Sequence, residues 1–219
     1  MTNPIIVHGI PGSPYVRSVL LALEEKEADY RFRAMPFGGH KEPGYRALHP
    51  FARIPVIQHG DFTLYETHAI LRYIDRLIPQ PALVPTDIRA EARMDQIISI
   101  TNSYASTQIS GAVSFPRIFA PHFGLPVDEA AIAAALPDAR NCLDAIGRLV
   151  GEQPYLTGAS MTLADLMLIP HLSYYAQCGE GVEMLARHPA LVAWIERMEQ
   201  RPSMAKTSFE RVGELAEAA

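Results

Sequence analysis

Four short segments hold residue types whose spacing could do chemistry. The first is Gly9-Ile10-Pro11-Gly12-Ser13-Pro14-Tyr15-Val16-Arg17, a loop that delivers a hydroxyl to a helix start. Amide groups and the helix dipole at such a start favour a bound anion, whether thiolate, carboxylate or phosphate. A serine there can equally be a plain cap for its own helix. The second is Phe51-Ala52-Arg53-Ile54-Pro55-Val56-Ile57, where a proline stands just before a strand. A cis bond there would leave the N–H and C=O of Ile54 open to an extended ligand, and the alternative is an ordinary trans proline on an edge strand. The third, Leu64-Tyr65-Glu66-Thr67-His68, opens a helix at Glu66 and Thr67 with a hydroxyl and free N–H groups suited to a carboxylate, or to capping. The fourth, Gly38-Gly39-His40-Lys41-Glu42-Pro43, puts two potential cations on a loop that could hold another carboxylate or stay solvated.

Other chemistries are not indicated. The glycine loop has neither GxGxxG nor GxxxxGK[ST], and GxSxG is absent, so dinucleotide, P-loop and serine-hydrolase readings fail. Eight histidines are scattered with no ligand-like pair, and the two cysteines, Cys142 and Cys178, lie far apart, so no metal is expected. A net charge of -5 with no basic run argues against nucleic acid or an anionic membrane as partner. The start of the chain has no cationic region leading into a long apolar one, and no apolar stretch is long enough to span a bilayer. A reducing cytoplasm suits two isolated thiols.

The elements that must carry these segments follow from patterning. Ile5-Ile6-Val7 reads as a strand. Ser13 then caps a helix with Pro14 at its first position and Val16, Val19, Leu20 and Leu23 on its buried face. Tyr30 to Ala34 alternates as a second strand, and residues 36–50 are loop or short irregular helix. Val56 to Leu64 forms a hairpin through Gly60-Asp61, and Ala69, Ile70, Tyr73, Ile74 and Leu77 mark another helix. The order is β-α-β, then β-β-α. Pro79, Pro81 and Pro85 form a linker, and beyond it the chain reads as helical throughout. A long helix is expected from Arg89 to Ser114, ending before Pro116. Another runs from Asp128 to Val150, kinked or divided at Pro137, and the last is built on Leu191, Trp194, Ile195 and Met198. Thr162-Leu163-Ala164-Asp165 reads as a structural capping box with Met161 and Leu166 as its hydrophobic staple.

The ordered runs HGIPGSPYVRSVLLALEEK, GGHKEPGYRALHPFARIPVIQHGDFTLYETHAILRYI, PYLTGASMTLADL and HPALVAWIERMEQRP together resemble the glutathione transferases over essentially the whole chain. The position of Ser13 and the His40-Lys41 loop are similar to the serine-type, phi- or theta-like classes. Thr67 stands where serine is more familiar, and Arg53 where glutamine often is. The resemblance implies a thioredoxin-like βαβ-ββα domain over residues 1–80, a linker over 81–88, and an all-helical domain over 89–219 that contributes the acceptor pocket. It implies glutathione as co-substrate, with Ser13 as thiol-activating donor and Tyr15 in reserve. Glu66 and Thr67 would hold the γ-glutamyl end, Ile54 beside a cis Pro55 the cysteinyl unit, and His40 and Lys41 the glycine carboxylate, with Arg53 nearby. The other substrate would be a small apolar electrophile and the assembly a homodimer. A non-catalytic ligand-binding role, peroxide reduction, dehalogenation and isomerisation are the alternatives within the same fold. Cysteine-based thiol–disulfide chemistry is disfavoured, because Ser13 holds the position concerned.

Overall fold

The computed structural model describes residues 3–151 and 153–217. The chain divides into two units, Met1–Ala82 with Arg201–Ala219, and Leu83–Gln200.

The first unit is built on a four-stranded sheet of order β2-β1-β3-β4, with β1 Ile5–Gly9, β2 Tyr30–Ala34, β3 Val56–His59 and β4 Phe62–Tyr65. Strands β1 and β2 are parallel and joined through helix α1, Pro14–Glu25, as the short β-branched run and the capped helix predict. Strand β3 runs antiparallel to β1, with His8 opposite Val56, and β4 pairs with β3 through the hairpin. Helix α1 buries Val16, Val19, Leu20 and Leu23, all at the anticipated positions. Helix α3, Thr67–Leu77, buries Thr67, Ile70, Leu71 and Ile74, while Leu77 stays exposed, so its stripe sits about one position from the expected one. Between β2 and β3 lie a 3₁₀ turn, Gly39–Lys41, and the one-turn helix α2, Pro43–Arg46.

Among the described residues the second unit consists of helices and their connecting loops, with one isolated bridge, Tyr155 to Gly158. Helix α4, Ile88–Ile100, continues into a wide helical stretch, Thr101–Phe119, closed by a bond from the Ala120 amide back to the Phe115 carbonyl, and then into the short α5, Ala120–His122. The predicted stop before Pro116 is therefore absent. A proline in α geometry presses on the carbonyl four residues back, and i→i+5 winding moves that carbonyl out of its way. Pro137 likewise sits inside a single helix α6, Glu129–Leu149, which it does not divide. Helix α7, Leu163–Tyr175, is buried at every position. A helix apolar on all sides belongs at the centre of its layer, and α4, α9 and the wide stretch pack against it. Helices α8, Gly179–Leu185, and α9, Pro189–Glu199, complete this unit.

Helix α9 was expected to be the last. Two more follow, α10, Pro202–Lys206, and α11, Phe209–Glu217, and both belong with the first unit. Helix α10 packs on α1 and α11 on β2. Glu25 of α1 receives the Arg201 guanidinium, Nη2 to Oε2 at 2.5 Å, and the Ser203 hydroxyl. A charge pair between residues so distant in sequence has no local signature.

Candidate functional site

The strand register brings all four chemical segments to one end of the sheet. Gly9 ends β1 opposite Ala34, which ends the parallel strand β2. The antiparallel strand β3 begins at that same end, because Val56 faces His8, and β4 finishes there, because Tyr65 faces Val56. Ser13 follows β1, the His40-Lys41 turn follows β2, Ile54-Pro55 precedes β3, and Glu66-Thr67 follows β4. This is the carboxyl end of the parallel pair, where the amide-rich start of α1 also lies.

Glycine makes the approach to Ser13 possible. A Cβ on Gly9 would stand 2.5 Å from a Val16 methyl, so strand and helix meet more closely there than any other residue allows. Gly12 turns the loop with φ of 85°, in the left-handed region. Ser13 is then half-buried and extended at the helix start, and its Oγ accepts from the Val16 amide at 3.4 Å. An N–H···O bond normally measures about 2.7–3.2 Å, so this cap is long and weak. A hydroxyl carries one proton and two lone pairs. Among the described residues nothing accepts the Ser13 proton. Tyr15, half-buried, sits in the first turn of the same helix. Arg17 is buried and donates to the Met204 carbonyl of α10 at 3.2 Å, a structural use of its charge.

The Ile54–Pro55 bond is cis, and among the described residues neither the N–H nor the C=O of Ile54 has a backbone partner. Glu66 has φ of 72° and ψ of 108°, a strained conformation for a residue with a Cβ. Its side chain is exposed and does not cap α3, so the first amides of that helix face the same end of the sheet. The Thr67 side chain is nearly buried just behind it.

The third cluster is cationic. Burial pushes the His40 imidazole below its ordinary value, and Lys41, Arg53 and Arg46 push it further, so it is neutral near pH 7. Its Nδ1 is buried without a hydrogen-bond partner. Lys41, Arg46 and Arg53 are exposed, and among the described residues none is paired with a carboxylate. Helix α2 ties this cluster together: Arg46 Nε donates to the Lys41 carbonyl at 3.1 Å, and the buried Tyr45 hydroxyl donates to the Arg53 carbonyl at 2.9 Å. His49, also buried, lies with its ring 4.5 Å from that of Tyr65. Burial lowers its pKa, the Glu66 carboxylate acts to raise it and Arg53 to lower it, so it stands between the acidic and the basic parts of the site. Sequence reading missed Tyr45, Arg46 and His49. The five-residue spacing of Arg46 from Lys41 was visible, but one turn of helix has no periodicity to reveal it.

Thr162 and Asp165 belong to the second unit. Asp165 is fully buried and accepts four bonds, from the Thr162 amide at 2.7 Å, the Thr162 hydroxyl at 2.9 Å, the Leu156 amide at 2.9 Å and the Trp194 indole at 2.8 Å. Together they form a capping box at the start of α7. Cys142 and Cys178 are free and buried, and burial pushes both thiols up to about 11. Among the described residues no three His, Cys, Asp or Glu side chains gather as metal ligands, and no helix is long and apolar enough to cross a membrane.

Comparison with known proteins places this geometry. Residues 7–82 match the family model of the glutathione S-transferase N-terminal domain, and residues 129–197 that of the C-terminal domain. A glutathione S-transferase of Silene vulgaris is 30% identical over 211 residues, covering 93% of this chain and 96% of that protein. Glutathione S-transferase 3 of Zea mays is 30% identical and covers 93% of each. The crystal structure of glutathione transferase F2 from Populus trichocarpa superposes with a TM-score of 0.82 at 26% identity, over 99% of this chain and all of that one.

Proposed function

The chain belongs to the glutathione S-transferase family, and on that premise we propose that it activates the glutathione thiol through Ser13 for attack on small apolar electrophiles. The observation that carries this reading is the long Ser13 cap. The hydroxyl stands at a helix start, held only loosely, with its proton uncommitted among the described residues.

The energies are of the right size. A free thiol with a pKa of about 8.5 is only a few per cent ionised at pH 7, and the thiolate is the nucleophile. Lowering that pKa by about two units takes roughly 2.7 kcal/mol of preferential anion stabilisation. A hydrogen bond to a charged group supplies about 1.5–3 kcal/mol and a helix terminus about 0.3–1 kcal/mol. Ser13 need not take a proton. The thiol proton passes to solvent while Ser13 donates to the sulfur as charge forms, and the electrophilic carbon then bonds to sulfur while its leaving group departs with the electron pair.

The remaining polar groups fit the ends of the tripeptide. Glu66 and Thr67 hold the γ-glutamyl ammonium and carboxylate, the open backbone of Ile54 pairs with the cysteinyl unit beside Pro55, and His40, Lys41 and Arg53 face the glycine carboxylate. Tyr15 is the reserve donor. The acceptor pocket is assigned to the helical unit and the assembly to a twofold homodimer, checked by elution at twice the monomer mass. Two free, buried thiols fit a reducing cytoplasm.

The test is the absorbance of enzyme-bound glutathione thiolate against pH in the wild type and in Ser13→Ala. A bound thiol pKa well below the free value, rising again in the variant, supports Ser13 as donor. An unaltered shift moves the role to Tyr15. Binding with no shift in either protein makes this a ligand-binding member of the family.

A further inference from the structure

The glycine-end cluster holds more positive charge than glutathione uses. Lys41, Arg46 and Arg53 carry three cations, while His40 is neutral and Glu42 supplies one negative charge beside them. Glutathione presents one carboxylate at this end. The Glu66 carboxylate, beyond His49, is matched by the ligand's own ammonium in the reading above, on which this inference rests. One positive charge is left over, in a chain whose net charge is -5.

The surplus is positioned by the fold. Adjacent residues of α2 bind the two segments that carry the other cations: Arg46 holds the Lys41 carbonyl through Nε, and Tyr45 holds the Arg53 carbonyl. Arg46 spends only its Nε on this bond, so the outer edge of its guanidinium remains available as a planar, two-toothed donor for a carboxylate. Glu42, at the N-terminal edge of the same helix, has no ion pair with any of them among the described residues.

We propose that the cluster of Lys41, Arg46 and Arg53 reads charge at the third position of the peptide thiol, so that the protein prefers γ-glutamyl-cysteinyl tripeptides ending in an acidic residue to those ending in a neutral one. The α-carboxylate of the third residue takes the place of the glycine carboxylate beside His40 and Lys41. The added side-chain carboxylate lies toward Arg46 and Arg53.

The groups are exposed, so the effect is modest. An exposed ion pair contributes about 0.2–1 kcal/mol, which corresponds to about a 1.4- to 5-fold change in Kd per arginine. It weakens with salt, because the screening length shortens from about 30 Å at 0.01 M to about 3 Å at 1 M.

The experiment is calorimetric titration of the full chain with glutathione, γ-Glu-Cys-Glu and γ-Glu-Cys-Gln, at low and at high salt. The last two differ in charge and hardly in size. The glutamate peptide is expected to bind about 3- to 5-fold more tightly than the glutamine peptide at low salt. That ratio falls toward one at high salt, and also in Arg46→Gln and Arg53→Gln. Glutathione binding with a ratio at or below one, or a ratio untouched by both substitutions, overturns this inference alone. No binding of glutathione overturns the parent reading and this one with it.

Discussion

Ser13 Oγ stands 3.4 Å from the Val16 amide nitrogen, too far for a strong cap yet close enough to hold the hydroxyl at the helix start. The two roles open to a serine here therefore separate in experiment. A strong N-cap replaced by alanine costs about 0.5–2 kcal/mol of stability, and this bond belongs at the low end of that range. Ser13→Ala is expected to lose about 10- to 100-fold in kcat/KM near pH 6.5, which is about 1.4–2.7 kcal/mol of thiolate stabilisation. The deficit shrinks as pH rises past the free thiol pKa, since the nucleophile then forms unaided. Paired urea unfolding and pH–rate profiles check this. A loss of stability that exceeds the loss of rate would make Ser13 a cap and nothing more.

Asp165 gathers four donors in a fully buried position, and one of them is the indole of Trp194, the single tryptophan of the chain. Asp165→Ala strands two amides, a hydroxyl and an indole N–H at once. Each buried, unsatisfied group costs about 1–3 kcal/mol, partly relieved by relaxation, so a loss of about 3–5 kcal/mol is expected. Asp165→Asn keeps one acceptor oxygen and loses less. The emission of Trp194 follows both the local change and the unfolding of the second unit. A loss below about 1 kcal/mol in the alanine variant would remove the box from the stability of that unit.

Much of the first unit was legible because its elements are marked at their ends. Ser13-Pro14 marks the start of α1, Gly60-Asp61 the hairpin turn, and the alternation of Tyr30–Ala34 the second strand. The candidate site was legible for a related reason: Ser13, Ile54-Pro55 and Glu66-Thr67 sit at junctions between elements, where polar types are conspicuous. What stayed hidden depends on tertiary contact. Tyr45 and Arg46 act through one turn of helix folded back on residues 41 and 53. Pro116 signalled a stop, but the wider winding around it is set by packing and has no sequence period of its own. The return of residues 201–219 to the first unit rests on Glu25 with Arg201 and Ser203, a meeting no local pattern announces.

Lys26 Nζ and Asp75 Oδ1 meet at 2.6 Å between the end of α1 and α3, both nearly buried, and the same ammonium also binds the Pro81 carbonyl. A buried pair is costly to break from one side, because the surviving charge is left in the interior. Asp75→Ala is expected to destabilise the first unit by about 3–5 kcal/mol, and Lys26→Met by a similar amount. The double variant Lys26→Met, Asp75→Leu recovers most of that loss. A double-mutant cycle by denaturant unfolding measures the coupling. Additive losses would mean that the two charges do not depend on each other.

His171 is buried in α7, its Nδ1 2.7 Å from the Ser110 hydroxyl, and burial pushes its pKa from 6.5 down to about 3. The unfolded chain takes up a proton near pH 6.5, while the folded chain resists it until about pH 3. The contribution to stability is therefore complete above the unfolded value and is lost as the pH falls through it. The limiting slope is about 1.4 kcal/mol per pH unit for one such group. Burial also lowers His8, His40 and His49, which belong to the first unit and steepen its own acid response. Urea unfolding followed by Trp194 emission reports on the second unit, where His171 lies. Between pH 7 and about pH 5 the wild type should lose stability more steeply than His171→Gln, by close to one proton's worth of slope. The variant's lower stability at pH 7 does not enter, since the readout is the slope. Equal slopes would mean that His171 takes up its proton at the same pH in the folded protein as in the unfolded chain, so that burial does not hold it neutral.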